Sequence, residues 1–327
     1  MRDRRFVVAA SLAIMSALWP PTAAAQQRYA VVVSGAAGGD TYASKLDAWR
    51  RQLVSVLREK LAFDADHVTV LCDCANAGAA EGQPATRDRV SAAVERLARD
   101  TGPKDLVLIV LMGHGSFDGV DAKFNLVGPD LGAGEWRDLL RAVRSRVVLV
   151  NTTGASMPFV EQLSAPRRVV IAATETGAQR FDTVFPEYFV AALADAAADL
   201  DKDGRISVLE AFSAASRAVK QHYERAGQLP IERAVLDDNG DRVGKWAGGD
   251  GTDGATAART FLDGQEAEMP ADPVLAELFQ RRAALEAQVD ELRARKPLMS
   301  ADEYAKEFER VMIDLARVSR EIRKKKS

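Results

Sequence analysis

Five short strand-like runs, rich in valine, leucine and isoleucine, recur between segments of helical periodicity: Ala30 to Val33, His67 to Leu71, Leu106 to Leu111, Val147 to Val150 and Val169 to Ala172. The central runs are apolar at consecutive positions and leave no face for water, so they belong inside a sheet covered on both sides. The intervening segments supply the covers. Leu46, Trp49, Leu53, Val56 and Leu57 form one stripe at helical spacing; Val90, Val94 and Leu97 form another behind the capping residue Thr86; Trp136 to Val143 makes a short third helix. Alternation of strand and helix requires right-handed crossovers. The chain is therefore expected to be α/β, a parallel sheet at the centre of a three-layer sandwich, with its functional loops beyond the carboxyl ends of the strands.

At 327 residues and 47% hydrophobic composition the chain can bury one substantial core and carry an appendage. Residues 1–25 are read as a secretory signal peptide. Arg2, Arg4 and Arg5 precede an apolar stretch from Phe6 to Trp19, and Ala23-Ala24-Ala25 offers a cleavage site before Gln26. The apolar stretch is too short to span a bilayer, so the mature protein is expected to be secreted or periplasmic, with no membrane span. Removing three arginines and Asp3 takes the net charge from -3 to -5, and the remaining arginines are scattered, which argues against nucleic acid as a partner. Cys72 and Cys74 are the only cysteines. An exported chain can oxidise them, but a C-x-C bridge is tight, and the sequence leaves a disulfide and two free thiols both open.

Pro186 to Arg225 reads as two helices with a loop between them, Gly248 to Gly254 as a surface loop, and Arg259 to Leu262 as a last edge strand. Residues 26–265 thus form one α/β domain, 266–273 a linker, and 274–327 a helical hairpin. Leu278, Leu285 and Leu292 repeat every seven residues, while Tyr304, Phe308, Val311, Leu315, Val318 and Ile322 alternate steps of four and three. Lys296-Pro297 separates the two runs, and Ser300 with Glu303 makes a capping box for the second. Such a hairpin either packs on its own domain or pairs with another copy, which makes 274–327 a candidate homo-oligomer interface.

The segment Asp199-Leu200-Asp201-Lys202-Asp203-Gly204-Arg205-Ile206-Ser207-Val208-Leu209-Glu210 has the spacing of a twelve-residue calcium loop. Oxygen donors stand at positions one, three, five and twelve (Asp199, Asp201, Asp203, Glu210), the Arg205 carbonyl at seven, Ser207 at nine to hold a water, and Gly204 where the loop turns sharply. Tyr188 to Leu193 before it and Leu209 to Val219 after it are helical, so the segment resembles an EF-hand. In an exported protein a structural Ca2+ that locks two helices is the expected use. Asp237-Asp238-Asn239-Gly240-Asp241 has the opening spacing only and is read as a tight turn, with a weak or shared metal site as the alternative.

The run Leu106 to Met112 ends in Gly113-His114-Gly115, and Val147 to Val150 ends in Asn151-Thr152-Thr153-Gly154-Ala155-Ser156. From residue 28 to about 175 this order resembles the legumain and caspase group of cysteine peptidases. In that group the resemblance implies a His in a Gly-His-Gly at the end of one strand and a Cys in a polar turn at the end of the next. Laid on this chain, the pattern keeps His114 and Gly115 and puts Thr153 at the cysteine, so the three are a vestigial catalytic set. The pocket arginine that accompanies a tyrosine in legumain-like enzymes is absent, since Tyr42 is followed by Ala43, Ser44 and Lys45. A threonine hydroxyl is a far weaker acid than a thiol and needs a strong aligned base. The expectation is a caspase-like, non-catalytic exported homologue that binds Ca2+ and holds a peptide or protein partner in the former cleft. Two other readings are kept: a hydrolase using His114 with Thr153 or Ser156, and an EF-hand protein with a regulatory role.

Overall fold

A computed structural model describes residues 26–74, 82–249, 252–264, 272–296 and 299–326. Residues 1–25, read above as a signal peptide, residues 266–271 of the expected linker and Pro297 lie outside the described residues. In chain order the structure runs β1 (Arg28–Ser34), α1 (Asp40–Ser55, extended by a wider turn over Val56–Lys60), β2 (Val68–Cys72), β3 (Gln83–Pro84), α2 (Arg87–Asp100), β4 (Leu106–Met112), β5 (Gly115–Phe117), β6 (Ala122–Phe124), β7 (Leu131–Gly132), α3 (Ala133–Leu140), β8 (Arg146–Asn151), α4 (Met157–Leu163), β9 (Arg168–Ala172), α5 (Phe185–Ala194), α6 (Val208–Arg225), β10 (Val235–Asp237), β11 (Lys245–Trp246), α7 (Pro273–Arg295) and α8 (Ala301–Lys326).

All five apolar runs are strands of one eight-stranded sheet in the order β11-β10-β9-β8-β4-β1-β2-β3. The strands from β3 to β9 are parallel, and β10 and β11 close one edge antiparallel. Because both faces are covered, successive residues of one strand enter different cores. Leu106, Leu108, Val110 and Met112 of β4 join Leu53, Phe189 and Phe212 on one face, whereas Val107, Ile109 and Leu111 join Val94, Trp136 and Phe159 on the other. The first face is covered by α1, α5 and α6 and the second by α2, α3 and α4, giving a three-layer mixed α/β sandwich.

The strand order reverses beside β1, since β2 lies on one side of it and β4 on the other. In open parallel sheets the crevice at such a reversal, beyond the carboxyl ends, is where loops diverge and leave room for a ligand. The turns after β1, β4 and β8 meet there. The sheet order also places β1 between β4 and β2, so Cys72 at the end of β2 is on the far side of β1 from His114. Cys72 and Cys74 form a disulfide, with Cα atoms 5.2 Å apart, which resolves the alternative left open by their spacing.

One expectation is corrected. Arg259 to Leu262 is no edge strand: Ala257–Arg259 is a single 3-10 turn, and Phe261 makes one isolated bridge to Ser207. The sheet edge is built instead by β10 and β11, which are too short to carry a period-two signal. The three-stranded sheet β5-β6-β7, which follows the Gly-His-Gly turn, had no recognisable strand pattern either.

The C-terminal helices pair as an antiparallel hairpin with a core of its own. Leu285, Val289 and Leu292 of α7 bury against Val311, Val318 and Ile322 of α8. This cluster is separate from the two faces of the sheet. Among the described residues no helix is long and apolar enough to cross a membrane.

Candidate functional site

The crevice at the strand reversal is built by close backbone approach. Gly113, at φ 142°, has Gly35 so near that an added Cβ would lie 3.3 Å from its amide nitrogen, and a Cβ on Gly115 would lie 2.5 Å from Thr153 Oγ1 and collide with the Gly154 carbonyl. Glycine on both sides of His114 therefore lets the ends of β1, β4 and β8 touch. The turn after β8 comes next to the Gly-His-Gly turn, as the sequence pattern required.

Both nitrogens of His114 are engaged in that crevice. Nε2 is 3.0 Å from the Ala37 carbonyl oxygen, in the loop after β1. Nδ1 is 3.1 Å from Asp182 Oδ1, in the loop before α5. The ring packs edge-on against Tyr42, with centroids 5.1 Å apart. Asp182 also accepts the Tyr42 hydroxyl hydrogen bond, and this bond and the carboxylate charge push the Tyr42 phenol up from its ordinary value. Asp182 is not foreshadowed in the sequence, because it sits in an irregular loop with no motif around it.

Thr153 is buried and its hydroxyl is satisfied locally, with the Asn151 side-chain oxygen at 2.8 Å and the Gly154 carbonyl at 2.9 Å. No hydrogen bond joins Thr153 to His114 among the described residues. Ser156 is also fully buried; its Oγ lies 3.1 Å from Thr174 Oγ1 and accepts the Thr174 amide. Neither hydroxyl is aligned with a base, which is the geometric condition for activating one. The end of β8 and the loop between β9 and α5, which meet here, hold unpaired polar atoms among the described residues. Asn151 Nδ2, and both Nε2 and Oε1 of Gln179, are buried without a hydrogen-bond partner, and the Gln179 carbonyl accepts the Ala155 amide at 2.6 Å.

The second site is the loop between α5 and α6. The side chains of Asp199, Asp201 and Asp203 converge, each offering an oxygen within 4.8 Å of the others. Backbone amides wrap these carboxylates: Asp203 N donates to Asp199 and Asp201, Gly204 N to Asp199, and Arg205 N to Asp203. Burial, reinforced by the neighbouring Asp201 carboxylate, pushes the Asp203 carboxyl up to about 6. Burial likewise raises Asp201. Clustered carboxylates with too little compensating charge fit a hard cation, which prefers oxygen donors.

Glu210 stands apart from that trio. Its Oε2 accepts Ser207 N and Oγ, and its Oε1 accepts the amides of Leu200 and Asp201, so Ser207 and Glu210 cap α6 while closing the loop. The Arg205 side chain turns away to pair with Asp263 and to cover the Phe261 ring, leaving its carbonyl for the loop. A cation enters the cluster from elsewhere: Arg282 of α7 lies 2.8 Å from Asp201 and 3.5 Å from Asp203. Its signal was present in the sequence. Leu275, Leu278, Arg282, Leu285, Val289 and Leu292 alternate steps of three and four, so Arg282 fills a position where the stripe calls for an apolar residue.

A second carboxylate trio joins Asp237 and Asp241, in the turn after β10, to Asp253. Asp237 accepts hydrogen bonds from Gly240 N, Ser164 Oγ and Arg242 N, as the bracing group of a tight turn does.

No family model matches this chain, and no curated protein matches it. Among solved structures, the crystal structure of protein GSU0716 from Geobacter sulfurreducens superposes with a TM-score of 0.43 at 14% sequence identity, covering 67% of this chain and 97% of that one. The fold and sites define a mixed α/β protein with a histidine-bearing crevice at its strand reversal and, toward the amino ends of the strands, an acidic helix-loop-helix.

Proposed function

We propose that this protein is an exported, calcium-binding homologue of the legumain and caspase group that does not hydrolyse peptides and instead holds a peptide or protein segment in the crevice at His114. One observation carries the reading. His114 is bonded to Ala37 and Asp182, while the Thr153 hydroxyl is bonded to Asn151 and Gly154, so base and would-be nucleophile are each engaged apart from one another. The Cys72–Cys74 disulfide agrees with an oxidising compartment outside the cytosol.

In this reading Asp199, Asp201, Asp203, the Arg205 carbonyl, Ser207 and Glu210 hold Ca2+. The ion, when bound, supplies charge compensation and a cross-link between the end of α5 and the start of α6. The role is structural, since α5 and α6 both pack on the sheet.

The test is incubation of the mature protein, and of Thr153→Cys, with peptide libraries. No cleavage by either is expected, because a thiol at residue 153 still lacks a base. Cleavage by the wild type that is lost in His114→Ala would overturn the non-catalytic reading. Calorimetry with Ca2+ should give a binding isotherm that Asp203→Ala removes; a wild type that shows neither heat nor a thermal shift with Ca2+ ends the metal reading.

A further inference from the structure

Arg282 occupies the place where a cation would sit. Its guanidinium reaches Asp201 Oδ2 at 2.8 Å and Asp203 Oδ2 at 3.5 Å, and its side chain is only 15% exposed there. It comes from the hairpin, whose hydrophobic cluster is distinct from the sheet cores. It also takes an apolar slot in the α7 stripe. A charged residue in such a seam weakens the packing of the helix that carries it, so its position is explained by the loop rather than by the hairpin.

We infer that Arg282 acts as an internal cation that docks the α7-α8 hairpin on the acidic loop, and that Ca2+ binding at the loop expels it and frees the hairpin. The inference rests on the calcium reading of residues 199–210. Calcium needs carboxylate oxygens at about 2.3–2.6 Å. A guanidinium hydrogen-bonded to Asp201 and ion-paired with Asp203 would lie against the dication, so the two occupants exclude one another. Exclusion is reciprocal: whatever Arg282 contributes to docking is subtracted from calcium affinity, and calcium reduces docking by the same factor. The hairpin keeps its fold on release because Leu285, Val289, Leu292, Val311, Val318 and Ile322 are buried among themselves.

The test uses the full mature chain with Ca2+ as the probe. Spin labels carried on unnatural amino acids at Lys220 of α6 and Glu309 of α8, both exposed, report the hairpin position without disturbing the disulfide. The expected result has three parts: Ca2+ shifts the label distance in the wild type, Arg282→Ala shows the shifted distance before calcium is added, and Arg282→Ala binds Ca2+ about fivefold more tightly or better. Arg282→Lys, which keeps the charge, should behave like the wild type. If wild type and Arg282→Ala bind Ca2+ equally and the distance does not respond, the coupling is refuted while the calcium site stands. If neither binds Ca2+, both readings fall; binding by Arg282→Ala alone supports the competition in its strongest form.

Discussion

His114 Nδ1 lies 3.1 Å from Asp182 Oδ1, and the same carboxylate accepts the Tyr42 hydroxyl, so two loops and the first turn of α1 contribute to one polar cluster at the mouth of the crevice. A histidine oriented by a carboxylate is a familiar catalytic arrangement. Here its other nitrogen meets the Ala37 carbonyl instead of a nucleophile.

Replacing Asp182 by Asn removes the charge that raises the Tyr42 phenol. The Tyr42 titration should move down toward the ordinary tyrosine range, read as a difference in ultraviolet absorbance against Tyr42→Phe. A Tyr42 midpoint that does not change would show that Asp182 is not its partner in solution.

Gly115→Ala should destabilise the protein by about 1–3 kcal/mol, since its Cβ would collide with the Gly154 carbonyl and Thr153 and the packed turn has to shift. Chemical denaturation measures this. Unchanged stability would mean that the ends of β4 and β8 are further apart than the structure places them.

Asp253 gives a pH signature. Burial, helped by the Asp237, Asp241 and Asp238 carboxylates, pushes its carboxyl up to about 6, above the ordinary 3.8. The fold therefore favours its protonated form, and that contribution is complete below about pH 4 and lost as the pH rises through about 6. Asp253→Asn keeps the oxygen that accepts the Asp238 amide and carries no charge. In calcium-free buffer it should exceed the wild type in stability at pH 8, by at most about 3 kcal/mol, and the two denaturation curves should converge at pH 4. A gap that widens on acidification contradicts the assignment.

Val311 is 1% exposed in the hairpin cluster. Val311→Asp buries an unpaired charge there and should abolish the hairpin's helical circular dichroism. Because that cluster is separate from the sheet cores, the melting transition of the α/β body should stay where it is; a joint collapse would show that the hairpin is part of the body's core.

The strands were legible because burial on both faces demands unbroken apolar runs, and β4 carries such a run from Leu106 to Met112. The α6 start was legible because Ser207 and Glu210 cap it through local hydrogen bonds. The edges were not. Val235–Asp237 and Lys245–Trp246 pair only because the sheet offers them a neighbour, and the misread Arg259–Leu262 stretch is instead the end of a 3-10 turn followed by one isolated bridge from Phe261 to Ser207. Arg282 was visible as an arginine out of place in an apolar stripe, but its partner was not.

By itself the sequence determined the α/β layering, the spacing of the acidic loop donors and the threonine-bearing polar turn after β8. Each of these is fixed by residue type at short range, through burial pattern, turn chemistry and side-chain acidity. Only the tertiary structure decided what His114 bonds to, how Cys72 and Cys74 pair, and which cation meets Asp201 and Asp203. The histidine's partners Ala37 and Asp182 and the loop's partner Arg282 lie 68 to 81 residues away in sequence, and only the crossovers of the sheet and the return of the hairpin bring such groups within hydrogen-bonding distance.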